Sequence, residues 1–164
     1  MAPPPQKPHR SKQDYCTPRP FLHAVERRLG ITAWAFDIAA DETNHVGDAQ
    51  HYWSEQEDAL HRDWLSLPRK GWSWLNPPFA DIRPWAYRCA LYGNAPRKIA
   101  LLVPASVGSD WYRDYVDRRA LVLALNGRLA FMPDQPRWLY PKDCVLALYG
   151  VTPGFEVWNW REEG

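Results

Sequence analysis

Four consecutive residues, Asn76, Pro77, Pro78 and Phe79, close a short apolar run inside GWSWLNPPFADIRPW, residues 71–85. Two successive prolines fix φ twice and remove two backbone donors. The carbonyls beside them keep rigid directions and lack local partners. Asn76 adds a side-chain carbonyl on a short arm, and Phe79 adds a flat apolar face. Two acceptors and a stacking plate at the carboxyl end of a strand suit a planar group that carries an NH2. Such an amine is a weak nucleophile, because its lone pair is delocalised into the ring. Acceptors drawing on its hydrogens push the nitrogen toward tetrahedral geometry and return density to it, with no strong base. This is preorganised electrostatics around a developing positive charge. A DNA base would have to leave the helix to reach such a site, and the aromatic plate offsets part of the lost stacking. The plainer alternative is a proline turn in which Asn76 caps the next element.

The elements that must position these residues follow from periodicity. In DYCTPRPFLHAVERRLG, the residues Phe21, Leu22, Val25 and Leu29 share one helical face. Pro20 stands at the helix start, where its missing donor costs nothing, and Gly30 closes it. Thr17-Pro18 then lies just before a helix N-terminus. A β-prone run, Ile31 to Phe36, ends in Asp37, with Ala39 and Ala40 following. An acid with small neighbours at the carboxyl end of a strand marks the ligand crevice of an α/β sheet.

Further along, a short strand is expected near His51–Trp53 and a turn or short helix around Asp58–Trp64. WSWLNPP reads as a strand running out into the motif, IRPWAYRCALYG as a helix stopped by Gly93, and RKIALLVPA as a buried strand of the parallel type. SDWYRDYVDRR reads as a helix with Ser109 as N-cap. ALVLALNGRLAF holds a strand and an Asn126-Gly127 turn. A proline-rich loop from Met132 to Lys142, the strand CVLALYG and an edge segment FEVWNW complete the chain. Strands alternate with helices and two strands close the chain. The pattern predicts an α/β fold: a mostly parallel sheet, helices on both faces, and an antiparallel edge.

Composition narrows the classes. Length, 164 residues, fits one domain: residues 14–164, after a flexible tail over residues 1–13 that lacks the apolar core of a secretory signal. Net charge is +1, so no global field draws the chain to nucleic acid. Basic doublets such as Arg69-Lys70 and Arg118-Arg119 are scattered instead. The three cysteines form no CxxC and read as reduced thiols. His45, His51 and His61 lack metal-ligand spacing, so no metal is expected. No apolar run is long enough for a membrane span. The phosphate-binding Gly-x-Gly-x-x-Gly and P-loop signatures are absent.

LNPPF resembles motif IV of the amino-methyltransferases that use S-adenosylmethionine. DYCTP, FDIAADETN, DALHRDW, WLNPPF, IALLVPA and NGRLAF occur in the order of the phage-type DNA N6-adenine methyltransferases of the Dam family, and together they cover nearly the whole chain after the tail. The resemblance implies a Rossmann-like methyltransferase fold and S-adenosylmethionine as cofactor. It implies direct methyl transfer to the adenine amine of double-stranded DNA, with no covalent enzyme intermediate. Asn76, Pro77, Pro78 and Phe79 map onto the catalytic motif. Thr17 and Pro18 match the motif that meets the methionine end of the cofactor. Asp37, Ala39 and Ala40 match a reduced first motif, and Asp58 is a candidate cofactor-side acid.

Each assignment has a structural alternative: a helix cap for Thr17, a cap or surface acid for Asp37, a solvated acid for Asp58. The glycine-rich first motif of many methyltransferases is missing, and Phe79 stands where Tyr is common. Trp74 and Trp85 flank the motif and serve either the base pocket or the core. Arg128 and Arg137 are the candidate DNA contacts, and the Met132–Lys142 loop is the candidate for base readout. The cytoplasm of a bacterial cell or phage-infected host is the implied location. Oligomeric state stays open, with a homodimer one option. The alternatives are a protein glutamine N-methyltransferase, which uses a similar motif but normally carries glycine-rich segments, and a catalytically inactive DNA-binding relative.

Overall fold

The computed structural model describes residues 16–40, 46, 51–54 and 57–163. The expected tail, residues 1–13, lies outside the described residues, as does the DETN part of FDIAADETN.

Among the described residues seven strands form one sheet in the order β2-β1-β3-β4-β6-β5-β7. They are β1 (Phe36–Ala40), β2 (Tyr52–Ser54), β3 (Trp72–Leu75), β4 (Lys98–Pro104), β5 (Leu121–Leu125), β6 (Cys144–Tyr149) and β7 (Gly154–Trp158). All neighbouring pairs run parallel except those made by β6, which is antiparallel to both β4 and β5. Among the described residues three α-helices pack on it: α1 (Arg19–Leu29), α2 (Arg83–Tyr92) and α3 (Asp110–Tyr115). The result is a mixed α/β sheet of Rossmann-like methyltransferase type.

Alternation along the strands builds two cores. Ile99, Leu101 and Val103 of β4 join Val145, Ala147 and Tyr149 of β6 beneath Ala86 and Cys89 of α2 and Tyr112 of α3. Ala100 and Leu102 point the other way, with Leu146 and Leu148, onto Phe21, Leu22 and Val25 of α1. A period of two on strands meets a period near 3.6 on helices, so each element buries one stripe or face. Trp74 belongs wholly to the second core, edge-on to Trp34 at 5.0 Å. It packs in the core, at 1% exposure; Trp85, half-buried, packs against the first core.

Helix signals hold closely. Gly30 sits in the left-handed region at φ 68, ψ 34, and its N–H returns to Arg27 O. α2 ends at Gly93, whose N–H returns to Cys89 O. α3 is shorter than SDWYRDYVDRR implied, because Asp117 N reaches back to Tyr112 O and Arg118 turns left-handed at φ 61 to enter β5. Ser109 is the N-cap residue of α3, but its hydroxyl donates to Ser106 O at 2.6 Å instead of capping.

Three placements differ from the sequence reading. The strand expected over Ile31–Phe36 starts only at Phe36, since residues 31–35 form bends that drive Trp34 into the core. Asp37 therefore stands near the start of β1, level with Trp74, and does not mark its carboxyl tip. The strand near His51 begins at Tyr52 and ends at Ser54. The antiparallel strand lies inside the sheet, while the edge strand β7 pairs in parallel with β5. Burial explains this order: all six residues of β6 are buried, as an interior strand requires, whereas Phe155 and Val157 of β7 face solvent. β4 likewise is buried on both faces but parallel only to β3, not on both sides.

Candidate active site

The carboxyl ends of β3 and β4 define one edge of the sheet. Asn76 follows β3 there, buried at 2% exposure. Pro77 is also buried, Pro78 is exposed and Phe79 is half-buried. Phe79 packs against both cores, so it stands where the two faces of the sheet meet.

Asn76 Nδ2 donates a hydrogen bond to Thr17 Oγ1 at 3.2 Å. This bond ties the tip of β3 to the residue that precedes α1. The cap position of α1 belongs to Pro18, with φ −60 and ψ 134, so Thr17 is not the cap. With Nδ2 committed, the other polar atom of Asn76 is its carbonyl, and no hydrogen bond engages Oδ1 among the described residues. No backbone hydrogen bond ends on the Pro77 carbonyl among them either. Two acceptors therefore stand at one strand tip beside a partly exposed aromatic face. That is the donor-poor, acceptor-rich geometry that an aromatic amine needs.

Phe79 meets Tyr140 at 5.5 Å with the rings inclined by 61°, and Phe131 at 5.7 Å with 82°. Phe131 and Tyr140 meet each other at 5.5 Å. The backbone closes the same neighbourhood, since Cys16 N donates to Phe131 O at 2.8 Å. Neither Phe131 nor Tyr140 was singled out from the sequence. The available signal was their position, two aromatics bracketing the proline-rich loop.

The other candidates divide. Ala39 and Ala40 are buried at the carboxyl end of β1 and present only methyl groups there. Asp37 is buried at 2% exposure, and its Oδ2 accepts from Val46 N at 3.1 Å, so it is no surface acid. Asp58 is solvent-facing, at φ 48, and pairs with His61 at 2.6 Å; that contact ties it to its own turn. Arg128 follows β5 and pairs with Asp143, the residue before β6, at 3.2 Å. It therefore lies at the edge that carries Asn76, because Cys144 is in register with Pro104 at the end of β4. Arg137 is exposed within the loop that follows.

Local electrostatics keep two thiols neutral. Burial drives the Cys89 thiol well above its ordinary value. Burial, reinforced by the Asp143 charge, pushes Cys144 up to about 12. Neither is a thiolate at neutral pH, so neither is an activated nucleophile. Among the described residues, no group of His, Cys, Asp or Glu is placed to hold a metal ion, and no helix is long and apolar enough to cross a membrane. A cleft of about 720 Å³ lined by Arg113, Asp114, Asp117 and Arg119 opens where the chain enters β5, at the opposite edge of the sheet.

No curated protein matches the chain. The profile of one family, described as DNA N-6-adenine-methyltransferase (Dam), matches residues 5–138. The match takes in Thr17, β1, the Asn76–Phe79 tip and Arg128; Tyr140 and Asp143 fall outside it. The chain belongs to the Dam family of DNA N-6-adenine-methyltransferases.

Proposed function

We propose that the domain of residues 14–164 transfers a methyl group from S-adenosylmethionine to the N6 amine of adenine in double-stranded DNA. The observation that carries this reading is the Asn76–Thr17 hydrogen bond, which leaves Oδ1 of a buried asparagine as an acceptor beside the half-buried Phe79 ring.

The residues at the edge suit the cofactor. Ala39 and Ala40 leave room for close approach to the backbone, and Thr17 Oγ1, while accepting from Asn76, keeps its own proton to donate. Thr17, Pro18, Ala39 and Ala40 would hold it at the edge, with Asp37 buried below them in β1 and Asp58 as an outlying acid. When bound, the cofactor supplies an electrophilic methyl on a positively charged sulfonium.

The chain's own work is on the base. Asn76 Oδ1 and the Pro77 carbonyl accept the two amine hydrogens and return lone-pair density to the nitrogen. Pro77 and Pro78 stiffen the backbone that carries the Pro77 carbonyl, and the bond to Thr17 aims Oδ1, so little reorganisation is needed as charge develops. Phe79 stacks on the everted ring and offsets part of its lost stacking. Neither acceptor is basic enough to keep the proton that the amine sheds, which passes to water. Arg128 and Arg137 contact the phosphate backbone from the same side.

The test is incubation of the chain with methyl-labelled S-adenosylmethionine and, separately, unmethylated duplex DNA, RNA and a glutamine-containing protein. Digestion of the labelled polymer identifies the product. N6-methyldeoxyadenosine from DNA supports the reading. Label on protein glutamine, or cofactor binding with transfer to nothing, overturns it in favour of a glutamine methyltransferase or an inactive relative.

A further inference from the structure

We infer that Tyr140 is a positioning residue that sets the plane of the Phe79 ring and couples the loop of residues 132–139 to base capture. The inference rests on the reading of Phe79 as the stacking plate. Tyr140 itself lies just beyond the matched span, residues 5–138.

Three rings close on one another: Phe79 on Tyr140 at 5.5 Å, Phe79 on Phe131 at 5.7 Å, and Phe131 on Tyr140 at 5.5 Å. The inclinations are 61°, 82° and 77°, so all three contacts are edge-to-face in kind. Neither of these two partners lies parallel to Phe79; both meet it at an inclination. A phenylalanine ring without such walls swings about two torsions, and a swinging plate does not stay coplanar with a base.

Tyr140 is itself fixed. It is 3% exposed, and its N–H donates to Leu129 O at 2.8 Å. Between Phe131 and Tyr140 the chain folds into two tight turns, Gln135 N to Met132 O and Trp138 N to Gln135 O, each at 3.0 Å. Both ends of this compact loop thus terminate in the ring cluster, while Pro133, Asp134, Pro136, Arg137 and Leu139 face solvent. A duplex that presses on Arg137 or Leu139 displaces a segment whose next residue is a wall of the stacking plate. Contact with the correct sequence and orientation of the plate become one event.

The experiment compares wild type with Tyr140→Phe, Tyr140→Leu and Tyr140→Met, the last filling the space with a flexible chain and no ring. Two quantities are read: the mobility of the ring-labelled Phe79 side chain by NMR in the free protein, and kcat, KM for unmethylated plasmid DNA and cofactor Kd. Tyr140→Phe should keep both the ordered ring and wild-type turnover. Tyr140→Leu and Tyr140→Met should free the Phe79 ring and lower kcat by about ten- to a hundred-fold, with cofactor Kd unchanged. A folded Leu or Met variant with an ordered Phe79 ring, or with full kcat, overturns the inference. Should the wild type methylate no DNA, the functional reading fails, and the ring measurement alone still decides whether Tyr140 positions Phe79.

Discussion

Asn76 and Thr17, separated by 59 positions in the chain, are joined by a 3.2 Å hydrogen bond from Nδ2 to Oγ1. The bond has two consequences. It aims the asparagine carbonyl by occupying the amide nitrogen, and it brings the entry to α1 to the strand tip. One hydroxyl therefore links the residues assigned to the cofactor with those assigned to the base.

Thr17→Val keeps the shape of the side chain and deletes the acceptor. It leaves a buried amide donor unpaired, which costs about 1–3 kcal/mol, or roughly 2–4 °C in Tm for each kcal/mol in a chain of this size. Turnover should fall about ten-fold as Asn76 loses its fixed orientation, and Thr17→Ser should restore both. Steady-state methylation and thermal melting of the three proteins check this; a Val variant with wild-type turnover would contradict it.

Arg137 and Arg128 should differ in how they serve DNA. Arg137 is exposed, whereas Arg128 already pairs with Asp143. If Arg137 meets a phosphate, Arg137→Ala weakens binding evenly across sequences and lowers the slope of log K against log salt by about 1. Arg128→Ala should show a smaller change in slope, because its partner already offsets part of its charge. Fluorescence anisotropy titrations from 50 to 200 mM salt, on the order of the range where such slopes resolve, give the answer. A change in sequence preference with Arg137→Ala would instead assign it to base reading.

Alkaline pH should destabilise the fold. Burial raises the thiols of Cys89 and Cys144, the latter to about 12, and the phenols of Tyr112 and Tyr149. Unfolded thiols and phenols release protons near 9 and 10, while the native state retains them. Above pH 9 the unfolded chain therefore binds fewer protons than the native one, and stability falls as pH rises. Urea midpoints from pH 7 to 11 should decline above 9; a flat profile would contradict the burial of these groups. In the same vein, a thiol reagent at neutral pH should label half-buried Cys16 and reach Cys89 and Cys144 only after unfolding.

Much of this site was readable from sequence because its parts are local. Pro20 and Gly30 bracket α1, and a strand running into Asn-Pro-Pro-Phe needs only adjacent residues to be seen. The family resemblance then pointed to Thr17 and Pro18 as cofactor-side residues, not as partners of that tip. β1 was misplaced because Ile31–Ala35 is apolar for another reason: Trp34 packs into the core from a bend. The same error put Asp37 at a strand tip, when it is buried near the strand's beginning. Long-range relations stayed hidden. Nothing local to Thr17 reveals a bond across 59 residues, and nothing local to Tyr140 reveals that it walls Phe79. The insertion of β6 inside the sheet likewise depends on which strands can be buried on both faces, a property of the assembled sheet.

The central claim is that Asn76 acts on the amine and not on the cofactor. Single-turnover methylation by Asn76→Ala, at saturating duplex DNA and S-adenosylmethionine, tests it most directly when paired with a calorimetric cofactor Kd. The rate should fall by about 10²–10³, as when one preorganised group is removed from a transition state, while the Kd stays near that of wild type. A wild-type rate in the Ala variant, or a loss confined to cofactor affinity, would contradict the account.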